Sequence, residues 1–292
     1  MSIARSSVLV VLALAASACG PAPSAVEPTP PAPLVTSAPS AAQPASAPSS
    51  TPVKTPSAVA PAAASASPEL TALLDAPDRL PEDRMLDGGR KPAELLSFFQ
   101  LKPGMKVAEL LAGGGYTTEM LARAVGPTGK VYGENTKLVL EKFAEKPWSE
   151  RLKRPVMQNV VRVDRELEDP LPPDAKGLDL VLANLVYHDF YWMKIDRDRM
   201  NKAVFAALKS GGVYAIIDHS AKDGAGATVV ESLHRIEESE LVRDVERAGF
   251  KLEKRGDFLK NPADTRDWST SPRVAGDKRG TSDRFVLWFR RP

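Results

Sequence analysis

The short apolar run at residues 105–111 leads into three consecutive glycines, Gly113 to Gly115. An amphipathic stretch follows, with Met120, Leu121, Ala124 and Val125 at helical spacing, and Gly126-Pro127 supplies its stop signal. A strand, a glycine turn and a helix in that order constrain the fold strongly. Glycine lets the chain turn at positive φ and brings backbone N–H groups close to a ligand at the helix N-terminus. This is the local geometry of a nucleotide-type site. An ordinary tight turn before a helix gives the same pattern, so the rest of the chain must decide.

Downstream, strands are expected at 129–135, 156–163, 178–183 and 213–217, with helices at 137–144 and 196–208 between them and two helical stretches within 229–248. Residues 178–183 form a nearly continuous apolar run, the pattern of a strand buried on both faces. Upstream, 70–74 reads as a short helix, and Pro92 starts another whose apolar face is Leu95, Leu96, Phe98 and Phe99. Alternating strands and helices imply an α/β, doubly wound and mostly parallel sheet with helices on both faces. Two final strands, 251–258 and 284–290, have no clear helix between them and suggest a closing antiparallel pair. Ligands of such sheets sit at the carboxyl ends of the strands. That rule places Asn184 to Trp192 and Asp218-His219-Ser220 on the site face.

Composition divides the chain of 292 residues sharply. Residues 1–18 carry Arg5 and the apolar run 8–16, too short to span a bilayer, and read as a signal peptide. Residues 19–68 are almost all Pro, Ala, Ser, Thr and Val, with Glu27 and Lys54 the only charges. Such a segment lacks the apolar groups to offset the entropy of ordering and reads as a disordered tether before a domain at 69–292. Cys19 is the only cysteine, which excludes an intramolecular disulfide. Net charge is +2 and no Lys/Arg patch is interleaved with aromatics, so nucleic acid is not an expected partner.

Ala16-Ser17-Ala18-Cys19 resembles a bacterial lipoprotein processing box. The resemblance implies export and a lipid anchor on Cys19 in the cell envelope; a plain signal peptide containing a cysteine is the alternative. The segment Val107 to Glu119 resembles motif I of class I S-adenosylmethionine (SAM) methyltransferases. Glu109 takes the place of the acid that ends strand 1, and Gly113 and Gly115 take the second and third glycine places. Leu111 stands where the first glycine belongs. Within that class the chain is similar to a group of bacterial predicted methyltransferases. That group carries Gly-Gly-Gly-Tyr-x-Thr-Glu, Tyr-His-Asp after strand 4 and Asp-His after strand 5, here Gly113 to Glu119, Tyr187 to Asp189 and Asp218-His219.

The resemblance implies a seven-stranded sheet, SAM as cofactor and methyl transfer to an unknown, small-molecule acceptor. It implies an acid at the end of strand 2 for the ribose hydroxyls. Register favours Asn135 and chemistry favours Glu134, because a carboxylate accepts twice at the spacing of a cis-diol. Asp164 is the match for the acid that accepts from the adenine amino group, with Glu166, Glu168 and Asp169 crowding the same loop. Tyr116 and Asn184 complete the candidate cofactor set. His188, Asp189, Asp218 and His219 are the candidate catalytic residues, His188 as general base. Their alternative is a structural turn.

Two further readings stay open. Asp189 and Asp218 occupy regions comparable to those where catechol O-methyltransferase and its relatives hold Mg²⁺, and His219 could join them, although the spacing shows no metal site. An exported domain would meet little cytosolic SAM and could instead be a non-catalytic ligand-binding lipoprotein. His234 falls in a helical stretch and reads as structural. The charged stretch 79–92 reads as a surface loop or a lid carrying Arg84 and Arg90, and 259–283 as a mobile loop or lid.

Overall fold

The computed structural model describes residues 68–292; the expected signal peptide, Cys19 and the tether up to residue 67 lie outside the described residues. Three helices come first, α1 (Pro68–Leu74), α2 (Pro81–Arg90) and α3 (Pro92–Phe98). Then β1 (Lys106–Leu110), α4 (Tyr116–Val125) and β2 (Lys130–Asn135) follow in strict alternation. A helical stretch begins as α5 (Lys137–Val139), passes through a π turn at Leu140–Ala144 and ends as α6 (Glu145–Leu152). The remaining elements are β3 (Val160–Asp164), β4 (Leu178–Asn184), α7 (Asp189–Trp192), α8 (Arg197–Ala207), β5 (Leu208–His219), α9 (Val230–Leu233), α10 (Glu238–Arg247), β6 (Lys251–Gly256) and β7 (Arg284–Arg290).

The strands form one seven-stranded sheet in the order β3-β2-β1-β4-β5-β7-β6. All neighbours are parallel except β7, which runs antiparallel to both β5 and β6. Successive side chains of a strand face opposite ways, and each face is covered here. Val107, Leu182 and Ile217 are buried against α3, α4 and Trp148 on one side. Ala108, Val181 and Ile216 are buried against Tyr187, Met200 and Val245 on the other. This two-sided burial is why 178–183 reads as an unbroken apolar run. Strand order reverses between β1 and β4, so a crevice opens at their carboxyl ends.

Residues 81–90, expected as a loop or lid, form a helix. Pro81 starts it, and a buried ion network holds it down. Arg151 of α6 grips Asp83 of α2 at 2.6 and 2.9 Å and reaches Glu119 of α4 at 2.7 Å. Glu119 is fully buried and also accepts from Arg123 and Arg154. Arg79 is paired with Asp87 in two bonds of 2.6 and 2.8 Å. Arg84 turns away and donates to the carbonyls of Leu74 and Ala76, so it lines no site. Among the described residues no helix is long and apolar enough to cross a membrane.

Candidate active site

The chain leaves β1 through a turn in which Leu111, Gly113 and Gly115 all take positive φ, 48°, 56° and 81°. Leu111 therefore adopts the left-handed conformation at the first glycine's place despite its side chain. Two bonds from β2 hold it there. The Leu111 N–H donates to Glu134 Oε2 at 3.0 Å, and the Ala112 N–H to the Glu134 carbonyl at 2.8 Å. Gly115 is required sterically, because a Cβ there would lie 2.5 Å from the Trp148 ring. A Cβ on Gly113 would meet nothing within 4 Å, so that residue faces open space.

Three of the candidate cofactor residues surround this turn. Glu109 is buried and accepts from the Thr118 hydroxyl at 2.5 Å. Burial pushes its carboxyl up to about 7, against the hydrogen bonds of Thr118 and Thr117 and the charges of Arg90 and Arg151. Glu134 is fully buried, and burial raises it well above the usual carboxylate range; its Oε1 has no partner. Asn135 resolves the question of register differently. Its amide accepts from the Gly113 N–H at 2.8 Å and donates to the Gly113 carbonyl at 3.2 Å, so it braces the loop. The unspent acceptor belongs to Glu134.

The other three candidates are engaged by the protein itself. Tyr116 donates to Asp87 at 2.7 Å and carries the Arg90 guanidinium 4.4 Å above its ring. The Asn184 amide donates to Thr117 at 3.0 Å, linking the end of β4 to the start of α4. Asp164 is exposed and takes both its bonds, 2.9 Å each, from Arg162. Its backbone pairs in register with Asn135 at the end of β2, and its side chain makes no bond to the glycine turn among the described residues.

The four candidate catalytic residues converge, as the shared crevice of β4 and β5 requires. Asp218 ends β5, is fully buried and accepts three donors at 2.7 Å: the His188 N–H, His188 Nδ1 and the His219 N–H. His188 Nε2 lies 3.1 Å from Asp189 Oδ1. Burial opposes charge on this ring, but Asp218 and Asp189 on its two sides raise it to about 10. With a carboxylate against each ring nitrogen, His188 is held as a donor on both sides, an arrangement that orients the ring and does not favour the expected role as base. Asp218 likewise has its lone pairs committed and orients His188. His219 differs: burial and the positive charges of His188, Arg284 and Arg235 keep it neutral. Its Nδ1 lies 2.7 Å from the Ser282 hydroxyl, and Nε2 has no partner among the described residues. Tyr187 is core, its hydroxyl accepting from Asn201 at 2.8 Å.

His234 also belongs here, not to a helix interior. It caps α9 in the left-handed conformation, φ 49°, with Nδ1 3.4 Å from Asp189 Oδ1. Thus all 3 histidines of the chain meet in one cluster. Their scarcity in the sequence was the available signal. Arg90 and Arg284 were harder to find. Neither has a carboxylate partner among the described residues; burial lowers both, Arg284 to about 10, with Arg90 the next cause for Arg284.

Residues 259–283, expected as a mobile loop or lid, form a strap whose two ends are tied together, the Asn261 N–H donating to Asp283 at 2.8 Å, and whose middle reaches from His234 to Phe143. Thr270 donates to the His234 carbonyl at 2.6 Å, and Arg273 lies 4.8 Å from the Phe143 ring beyond β2. Asp264 is buried against Arg235 at 2.8 Å. Near Arg284 the strap meets α2 backbone to backbone, where a Cβ on Gly89 would lie 3.0 Å from the Gly280 Cα.

Comparison with known proteins bears on what this crevice holds. The family model of protein-L-isoaspartate(D-aspartate) O-methyltransferase matches residues 66–163, about a third of the chain. A SAM-dependent methyltransferase from Aquifex aeolicus is similar in structure, with TM-score 0.51 and 19% identity over 75% of this chain and 97% of that one. A Haloferax volcanii complex of a methyltransferase with its Trm112 activator gives TM-score 0.51 at 16% identity, over 72% and 93%. A Galdieria sulphuraria protein described as a sarcosine dimethylglycine methyltransferase gives 0.51 at 14%, over 72% and 87%. With the strand order and the glycine turn, these likenesses give the chain the Rossmann-like fold of the SAM-dependent methyltransferases.

Proposed function

We propose that this protein is a SAM-dependent methyltransferase acting on a small-molecule acceptor, exported and held at the cell envelope by a lipid on Cys19. The observation that carries the cofactor reading is the unpartnered, buried Oε1 of Glu134 beside the glycine turn. A buried polar atom without a partner is costly, and a ribose hydroxyl would satisfy it. The neighbouring groups fit the rest of the molecule. Glu109 has no ion-pair partner among the described residues and suits an ammonium; Arg90, near enough for its charge to act on Glu109, suits a carboxylate. Together they match an amino-acid zwitterion. Gly113 leaves room where a side chain would project.

Bound SAM supplies an electrophilic methyl on a sulfonium. The protein's part is then to align the acceptor and, for a protonated one, to take its proton. His219, the last residue of β5, is the candidate to accept that proton, since Ser282 holds Nδ1 and Nε2 has no partner among the described residues. Asp218 and His188 hold the adjoining loop rigid. The strap closes over the strand ends and limits access of water.

Calorimetric titration of the full chain with SAM and S-adenosylhomocysteine tests the reading. Saturable binding of both is expected, weakened by Glu134→Gln. Absence of binding by either compound to the folded protein would overturn it. Binding without turnover on any acceptor would favour a ligand-binding lipoprotein. The anchor has its own test: Cys19→Ser should move the protein from the membrane to the soluble fraction, and unchanged membrane association would exclude it.

A further inference from the structure

The histidine cluster does more than brace a loop. His188 Nε2, Asp189 Oδ1 and His234 Nδ1 all lie within 4.8 Å of one another. The two contacts to the carboxylate oxygen are 3.1 and 3.4 Å. Ligand atoms at about 2.0–2.2 Å from a shared four-coordinate ion stand roughly 3.3 Å apart, so these two separations already suit a metal. We propose that His188, Asp189 and His234 form a binding site for a divalent first-row transition ion.

The donors select the ion. Two imidazoles and one carboxylate suit Zn²⁺, Fe²⁺, Co²⁺ or Mn²⁺ better than Mg²⁺ or Ca²⁺, which favour all-oxygen shells. Three protein ligands leave at least one coordination position open, the arrangement of a site that takes water or a substrate atom. His188 is buried, while the side chains of Asp189 and His234 keep 23% and 27% exposure, so the open side faces solvent.

Each ligand has an outer partner that fixes its orientation. Asp218 accepts from His188 Nδ1 at 2.7 Å; that bond keeps the proton on Nδ1, so an arriving ion displaces only the Nε2 proton and meets a lone pair pointing into the cluster. Trp192 Nε1 donates to Asp189 at 2.6 Å. Thr270 holds the His234 carbonyl, and the Ile236 N–H donates to the His219 carbonyl at 3.0 Å, pinning the segment after α9 to the end of β5. His234 sits in the left-handed region, which a bulky L-residue enters at a cost and which concentrates at functional positions. Without an ion, the Asp189 oxygen collects three donors, from His188, His234 and Trp192, in the space the ion would share.

The test reads metal content and is independent of methyl transfer. Full-length protein stripped with chelator is dialysed against Zn²⁺ or Co²⁺ and assayed for bound ion and for Co²⁺ visible absorption. One equivalent is expected in the wild type and in His219→Ala. His234→Ala and Asp189→Ala, whose side chains are part exposed and whose loss leaves the core intact, should each lose it. Asp218→Asn should weaken binding about 10–100-fold. A wild type that binds no stoichiometric ion overturns the site. So does an equivalent retained by both His234→Ala and Asp189→Ala, or one lost in His219→Ala with those two unaffected.

Discussion

On the β1–β3 side of the crevice, Glu134 is buried with one carboxyl oxygen unpartnered, and Glu109 is buried against the hydroxyls of Thr118 and Thr117. On the β4–β5 side, Asp218 and Asp189 are surrounded by donors from the protein. The same residue type is therefore used in two ways within one site. A carboxylate left short of donors costs folding energy and favours a ligand that brings them. A carboxylate saturated by its own chain fixes the geometry of its neighbours. Ligand recognition should consequently respond most to changes on the first side, and stability to changes on the second and in the ion network beneath α2.

The largest effect should come from that network. Glu119→Ala leaves three guanidiniums without their shared buried partner, and breaking a buried pair costs about 3–5 kcal/mol. Chemical denaturation would show it; an unchanged midpoint would mean that the clamp on α2 contributes nothing. Next, Glu134→Gln should reduce SAM affinity by up to roughly tenfold, the usual loss for one hydrogen bond, while Asp218→Asn should lower the melting temperature and leave SAM affinity within about twofold. The reverse pattern would break the contrast between the two sides.

A smaller effect is pH dependence. The Glu109 carboxyl sits at about 7, raised by burial above its unfolded value. Its contribution to stability is therefore fully present below the unfolded value near 4.5 and is lost as pH rises through about 7. Binding of an ammonium runs the other way, because it needs the carboxylate. SAM affinity should rise severalfold between pH 6 and 8 in the wild type and be flat in Glu109→Gln. A flat wild-type profile would remove Glu109 from the cofactor set. The smallest effect is expected of Asp164→Ala, which breaks an exposed pair worth about 0–1 kcal/mol and should hardly change SAM affinity. A tenfold loss would restore Asp164 as the adenine partner.

The sheet was legible because its central strands, β1, β4 and the end of β5, are apolar runs ended by turn residues, and burial on two faces leaves that mark in any order of reading. The glycine turn was legible for a similar reason: only its first position departs, and there Glu134 enforces the backbone that a glycine would adopt freely. Helix α2 was not. Its sequence, with Asp83, Asp87 and the pair Gly88-Gly89, looks like a solvated loop, and its stability comes from Arg151, far along the chain. His234 was misplaced for the same cause. Its partner Asp189 is distant in sequence, and the left-handed cap that aims the ring leaves no periodic signal. The role of His188 turned on charge. Its place after β4 suggested a base, and the carboxylate that holds its Nδ1 arrives from another strand.

The contact of Gly89 with Gly280 has a consequence for traffic through the crevice. A seam between two glycines has no rotamers to rearrange, joins no ion pair across it and covers little apolar surface, so parting it is inexpensive. Arg284 donates to the Gly280 carbonyl at 2.9 Å, and Arg90 follows Gly89 directly, so the hinge of this door is set beside its two unpaired cations. A methyl group at Gly89 would act as a doorstop, holding the entrance ajar and shortening the residence time of whatever lies behind it.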